Sequence, residues 1–182
     1  DAGGRIIQPL ELDDVDAAAE ACKKADVEAV AVAFLHAYRE PTHELAAAEH
    51  LRAALPGVAV TASHEITREW REYERTNTTV LSAYVQPKAQ RYLEKLEAGM
   101  TDKGYTGQLF IMQSNCGVDS LEATKAVPIT MVESGPASGF WGAAELGRII
   151  GEPNILALDI GGTTAKCSLI ENGQAAVKTD YW

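Results

Sequence analysis

A near-continuous apolar run of strand length, Val27-Glu-Ala-Val-Ala-Val-Ala-Phe-Leu35, lies between two segments with helical spacing. Such a run suits a strand covered on both faces, as in a parallel sheet. Upstream, Leu12, Val15, Ala18, Ala19 and Cys22 recur at helical spacing and predict a helix over 12–25, capped by Asp13 or Asp14. Downstream, Pro41-Thr-His-Glu44 opens a second helix reaching about Leu55, with Pro41 or Thr42 in its first turn. After Pro56-Gly57, Val58-Ala-Val-Thr61 reads as another short strand. Strand, helix and strand in that order form a βαβ unit, so the fold class is α/β.

The alternation continues to the end of the chain. Glu65, Glu69, Glu72 and Glu74 with Arg68, Arg71 and Arg75 read as a solvated helix face laced by ion pairs. Residues 76–103 read as a helix that Pro87 should break or kink, with Leu93, Leu96 and Met100 as its apolar positions. Residues 107–113 form a strand candidate, and residues 120–126 a short helix with a Ser or Asp cap. Ser134-Gly-Pro-Ala-Ser-Gly139 leads into a helix of small residues ending near Gly147, and residues 153–159 are a strand. Residues 165–170 and 175–179, joined by Asn172-Gly173, read as a β-hairpin, and a further strand begins near Val177. Hairpin and βαβ unit together give a mixed sheet with flanking helices.

The formal charge of −10, from 26 acidic and 16 basic residues, disfavours nucleic-acid binding, which relies on clustered Lys and Arg. No stretch approaches the roughly 20 consecutive apolar residues of a membrane span. Cys22, Cys116 and Cys167 form neither a CxxC pair nor a zinc pattern, which fits a reducing, cytoplasmic setting. The chain opens on Asp1 with no basic-then-apolar leader, and both of its ends read as cuts in a longer protein.

Chemistry concentrates in Leu156-Ala-Leu-Asp-Ile-Gly-Gly-Thr-Thr-Ala-Lys-Cys-Ser-Leu-Ile170. An apolar strand ends in Asp159; Gly161, Gly162, Thr163 and Thr164 follow, and a second strand begins at once. Glycines allow a sharp turn and bring backbone N–H groups close to an anion, while the threonine hydroxyls complete a phosphate cradle. Asp159 is placed to hold a hydrated Mg²⁺, which favours one or two carboxylates plus phosphate oxygens. Rossmann and Walker loops run from their glycines into a helix, whereas this turn runs into a strand. The strand-turn-strand pattern resembles the actin, sugar-kinase and heat-shock ATPase superfamily, whose fold is actin-like (ribonuclease-H-like). Glu133-Ser-Gly-Pro-Ala-Ser-Gly-Phe-Trp-Gly-Ala-Ala144 is similar to the connecting helix preceding the second phosphate loop in heat-shock ATPases.

Six further segments occur in one order: Phe34-Leu-His-Ala-Tyr-Arg-Glu-Pro-Thr-His-Glu44, Glu72-Tyr-Glu-Arg-Thr-Asn-Thr-Thr79, Ala83-Tyr-Val85, Met112-Gln-Ser-Asn115, Ser134-Gly-Pro-Ala137 and Asp159-Ile-Gly-Gly-Thr163. Together they resemble the ATP-dependent hydantoinase A/5-oxoprolinase family, which includes subunits of acetone and acetophenone carboxylases. The resemblance makes residues 1–75 the end of that family's N-terminal domain and 76–182 the start of its hydantoinase A domain. It implies an internal piece of an ATP-dependent enzyme that opens cyclic amides such as lactams or hydantoins. ATP and Mg²⁺ are the implied cofactors. The implied partners are the rest of the same polypeptide and a hydantoinase B-type subunit or domain, with no nucleic acid and no membrane. Carboxylation of a ketone, or a scaffold with a degenerate loop, are the alternatives. With one phosphate loop in view, the piece alone is expected to bind ATP weakly or not at all.

The family's loop commonly reads Asp-x-Gly-Gly-Thr-Ser-Thr-Asp; here Ala165 and Lys166 fill the last two places, so Lys166 either faces phosphate or points to solvent. Cys116 stands where many relatives have Gly and reads as a small loop thiol. His36 and His43, with Glu40 and Glu44, are a weaker metal candidate. Tyr73 and Arg75 are weak candidates for ligand contact, and Trp141 is expected in core or interface packing.

Overall fold

The computed structural model describes residues 1–176, so the strand start near Val177 and the last part of the hairpin's second strand lie outside the described residues. The chain divides into two compact units, Asp1–Gly107 with Lys125–Ile129, and Gln108–Thr124 with the chain from Thr130 on.

In the first unit, α1 (Leu12–Ala25) follows its apolar spacing and buries Val15 and Ala19. Its cap is not an aspartate: Glu11 holds the cap position without a side-chain hydrogen bond. Asp13 and Asp14 lie inside the first turn, where negative charge favours the positive end of the helix dipole. Strand β1 (Ala29–Val32) is shorter than the apolar run, because the chain turns away after Phe34 through His36, which is left-handed at φ 62°. Helix α2 (Thr42–Ala54) follows, with Glu40 accepting hydrogen bonds from the Thr42 N–H and hydroxyl at its start. Strand β2 (Ala59–Ala62) then pairs with β1 in parallel, Ala29 opposite Ala59 and Val32 opposite Ala62. This is the βαβ unit that the sequence predicts.

A short helix, α3 (Ser63–Ile66), leads to α4 (Glu72–Asp102), which runs through Pro87 without a break. The missing N–H costs one hydrogen bond, but strong helix formers on the C-terminal side carry the helix on. Side chains alternate across β2. Val60 and Ala62, with Val32, enter the core built with Val15, Ala19, Ala47, Ala48, Leu51 and Leu55. Thr61 faces the opposite way and donates its hydroxyl to Gln86 of α4. The α4 surface buried here is small and polar: Arg75, Thr79, Ser82 and Ala83. The two strands are thus covered on both faces.

In the second unit, β3 (Phe110–Met112) forms an antiparallel hairpin with β4 (Val118–Ser120), a strand the sequence reading does not anticipate. Its turn is closed by the Gly117 carbonyl accepting from the Gln113 N–H at 2.8 Å, and Cys116 is left-handed at φ 67°. Helix α5 (Leu121–Ala126) is capped as expected, with the Ser120 hydroxyl oxygen accepting the Ala123 N–H at 3.2 Å. Helix α6 (Ser134–Ile150) runs one turn beyond Gly147 to a left-handed Gly151. Strands β5 (Ile155–Ile160), β6 (Ala165–Glu171) and β7 (Gln174–Ala175) make an antiparallel meander in that order. Asn172 and Gly173, both at positive φ, form the two-residue turn between β6 and β7. Ala144 of α6 packs on Ala157 and Ile170, joined by Phe140, Ala143 and Ile155. On the opposite sheet face Leu156, Leu158 and Ile160 are 60%, 62% and 72% exposed. Among the described residues, no helix is long and apolar enough to cross a membrane.

Gly147 sets how closely α6 approaches β5. A Cβ there would sit 2.4 Å from Ile155 Cδ1 and 2.5 Å from the Glu152 carbonyl oxygen. The backbone oxygen cannot move aside cheaply, so the clash outweighs alanine's helix preference of about 1 kcal/mol. Gly147→Ala is expected to destabilise the second unit by about 2 kcal/mol, read as a lowered midpoint in urea unfolding. An unchanged or raised midpoint would contradict the close packing.

Candidate phosphate-binding site

The β5–β6 register sets Asp159 directly opposite Lys166. Cross-strand partners share a sheet face, and this is the face of Ile155 and Ala157, on which α6 packs. Asp159 is exposed and lies at the end of an open groove of about 640 Å³ bounded by Gly135, Pro136, Gly139, Phe140 and Ala143. The connecting turn is held by the Gly161 N–H donating to the Thr164 carbonyl at 2.9 Å. Gly161, Gly162, Thr163 and Thr164 are all exposed. Neither Gly161 nor Gly162 is in the left-handed region. No atom lies within 4 Å of a Cβ built on Gly162. What these two glycines supply here is bare backbone that an anion can approach, and not a special turn conformation.

Lys166 neither points freely to solvent nor stands unpartnered before the turn: its ammonium donates to the carboxylate of Glu133. Glu133 sits immediately before α6 in the left-handed conformation, at φ 66°. Sequence reasoning missed this pair, since the partners are 33 residues apart and meet only through the packing of α6 on the sheet.

The donor set suits Mg²⁺ together with a polyphosphate. Among the described residues, no three His, Cys, Asp or Glu side chains gather into a metal cage. Mg²⁺ commonly takes one or two carboxylates and completes its octahedron with water and phosphate oxygens. Asp159 is the carboxylate that would hold it, and the turn residues would hold the phosphates.

The other tempting residues are placed differently. His36 and His43 border a second hollow with Arg5, Gln8 and Glu40, but among the described residues no three metal-ligating side chains there come together to hold an ion. The Thr42 hydroxyl, and then the Thr42 N–H, hold Glu40 below the ordinary carboxylate range. Trp141 is 53% exposed and so is not a core residue. Cys116 is a half-buried loop thiol whose Sγ lies 3.6 Å from the Ala137 carbonyl. Tyr73 is exposed, but Arg75 is 1% exposed and lies on no solvated helix face.

Arg75 belongs instead to a buried charge cluster. Its Nε donates to Ser63 Oγ at 3.1 Å, Nη1 to the Glu69 carbonyl at 2.8 Å and Nη2 to the Phe34 carbonyl at 2.8 Å. Glu44, fully buried, accepts from the Phe34 N–H at 2.7 Å, from the Ser63 hydroxyl, from the His64 N–H at 2.8 Å and from His64 Nδ1 at 2.7 Å. The two charges thus satisfy both backbone groups of Phe34, where the chain leaves β1. They tie α2, α3 and α4 to that point. Both Glu44 oxygens and all three Arg75 nitrogens are engaged internally, which marks the cluster as structural.

Comparison with known proteins agrees with this architecture. Residues 75–182 match the hydantoinase/oxoprolinase family, and residues 1–55 match the hydantoinase/oxoprolinase N-terminal region. The chain is 39% identical over its whole length to an uncharacterised protein of Methanocaldococcus jannaschii, covering 27% of that protein. It is 34% identical over 98% of its length to the caprolactamase subunit alpha of Pseudomonas jessenii, covering 26% of it. The nucleotide-free structure of acetone carboxylase, from work on ATP-dependent acetone carboxylation, superposes with a TM-score of 0.82 at 29% identity. That match covers 92% of this chain and 24% of the other. The chain therefore spans about a quarter of the length of the relatives it matches. It is an α/β chain of the hydantoinase/oxoprolinase family.

Proposed function

We propose that the protein to which this chain belongs uses ATP to activate a cyclic amide for ring opening, and that the β5–β6 turn is one of its phosphate grips. The observation that carries the reading is the exposed Asp159 at the tip of β5, followed by the bare Gly161-Gly162 turn and facing Lys166 across the strand pair. The relative named caprolactamase favours a lactam or hydantoin as the substrate class. Amide resonance makes such a carbonyl a poor electrophile. Transfer of the γ-phosphoryl group to its oxygen, with ADP leaving, gives an imidate phosphate whose carbon water can attack. The ring C–N bond then breaks with a proton passing to nitrogen, and a second water releases phosphate from the acyl phosphate. The chain's own contribution is positioning and charge neutralisation, which dominate phosphoryl transfer. Asp159 orients Mg²⁺, while Gly161, Gly162, Thr163 and Thr164 hold phosphate oxygens through N–H and hydroxyl donors. In this reading the family's two domains meet near residue 75. The opposite lobe of the cleft and the hydrolytic B-type partner come from outside this chain, so the chain alone binds ATP weakly or not at all.

A second reading, ATP-dependent carboxylation of a ketone, is favoured by the match to acetone carboxylase. Phosphate release by the full-length protein with its partner subunit separates the two. Stimulation by caprolactam, 5-oxoproline or hydantoin, with ring-opened product, is the expected result. Stimulation by acetone plus bicarbonate alone would replace the cyclic-amide reading with the carboxylase one, and ATP turnover under neither condition would remove both.

A further inference from the structure

We infer that Glu133 is a built-in counter-ion for Lys166, which a bound polyphosphate must displace, so that Glu133 sets the affinity and charge selectivity of the site. The inference rests on the phosphate-binding reading above and adds a residue to it. Lys166 stands opposite Asp159 in the strand register, at the end of the strand that leaves the Gly-Gly-Thr-Thr turn. Its ammonium is engaged by the Glu133 carboxylate. Neither group is deeply buried, the side chains being 34% and 63% exposed, so exchanging partners leaves no uncompensated charge in a dry interior.

The position of Glu133 adds to the argument. It precedes Ser134, the first residue of α6, where the helix dipole favours negative charge. It also holds a left-handed backbone, which non-glycine residues seldom adopt. A carboxylate there occupies the position that a phosphate oxygen near Lys166 would take. While paired it neutralises Lys166, and once a phosphate arrives it repels the added negative charge. A singly charged anion gains little from replacing one carboxylate by another anion. A Mg²⁺-bound triphosphate brings several oxygens and further grips on the turn, and so wins the exchange. Glu133 acts through Lys166 and is a positioning residue, not a catalytic one.

The test is a double-substitution cycle in the full-length protein, with Mg²⁺·ATP affinity measured by calorimetry and folding checked by thermal unfolding. Glu133→Gln is expected to tighten Mg²⁺·ATP binding about fivefold and to let inorganic phosphate bind measurably. Lys166→Met is expected to weaken Mg²⁺·ATP binding about tenfold. In the Lys166→Met background, Glu133→Gln should give a clearly smaller gain, because the lysine it frees is gone. A purely structural ion pair would lower the unfolding temperature in both variants without any gain in affinity. Unchanged or weakened binding by Glu133→Gln, with wild-type binding intact, overturns the counter-ion role and leaves the phosphate site standing. Absence of ATP binding in the wild type overturns the phosphate site itself, and the counter-ion role with it.

Discussion

Arg75→Met is expected to cost the first unit about 3–5 kcal/mol, because three acceptors, the Ser63 hydroxyl and the Glu69 and Phe34 carbonyls, lose a charged donor at about 1–3 kcal/mol each. Domains of ordinary stability have about 5–15 kcal/mol in total, so the variant should unfold at far lower urea or not fold stably at all. Methionine fills most of the volume of the arginine stem, and the loss is therefore not a cavity effect. It comes from leaving the Phe34 and Glu69 carbonyls without their donors, and from removing the guanidinium that holds the Ser63 hydroxyl against the fully buried Glu44. Arg75→Lys should recover only part of the loss, since one ammonium cannot reproduce the fork that reaches Ser63, Glu69 and Phe34 together. Glu44→Gln combined with Arg75→Met should cost less than the sum of the two single changes, because removing both charges leaves neither stranded. Urea unfolding followed by far-ultraviolet circular dichroism measures the wild type and all four variants. A loss below about 1 kcal/mol for Arg75→Met, the size typical of an exposed ion pair, would contradict the buried-cluster account.

That cluster also shows what a sequence pattern conceals. Between Glu65 and Arg75, acids and bases alternate at spacings that suit a solvated helix face, and nothing local separates Arg75 from Arg68 or Arg71. Only the tertiary fold does so, by bringing Phe34, Glu44 and Ser63 to one point from three separate segments. Local signals fared well where local physics decides. The apolar spacing of α1, the βαβ order around β1 and β2, the Ser120 cap and the Asn172-Gly173 turn were all legible. They failed where packing overrides propensity, as at Pro87 inside α4 and at the short strand β4. In the candidate site the turn was legible, because an apolar strand ending in Asp-Ile-Gly-Gly is a contiguous pattern. The Glu133–Lys166 pair was not, since it depends on a left-handed residue before α6 and on how that helix lies over the sheet.

Asp159→Ala should have the largest functional effect of any single change in this chain. Its carboxylate is the one that β5 itself brings to the β5–β6 turn, and it is exposed to whatever the turn receives. Removing it takes away the carboxylate placed to orient Mg²⁺, since the Glu133 carboxylate is held by Lys166. Lys166 then faces the phosphates without the metal's neutralising geometry. Losing the carboxylate that positions a metal should cost at least about tenfold in affinity, the low end of what removing a supporting partner of a metal site costs. The fold should survive, because the β5–β6 pairing is carried by backbone bonds and by Ala157 and Ile170, not by the Asp159 side chain.

Calorimetric titration of Mg²⁺·ATP into the full-length protein and its Asp159→Ala variant, with this chain alone alongside, measures that effect directly. The account predicts tight binding by the full-length protein, loss of about tenfold or more in the variant, and little binding by the isolated chain. Equal affinity in the full-length protein and its variant would make the Asp-Ile-Gly-Gly turn a structural feature and remove the phosphate-binding claim.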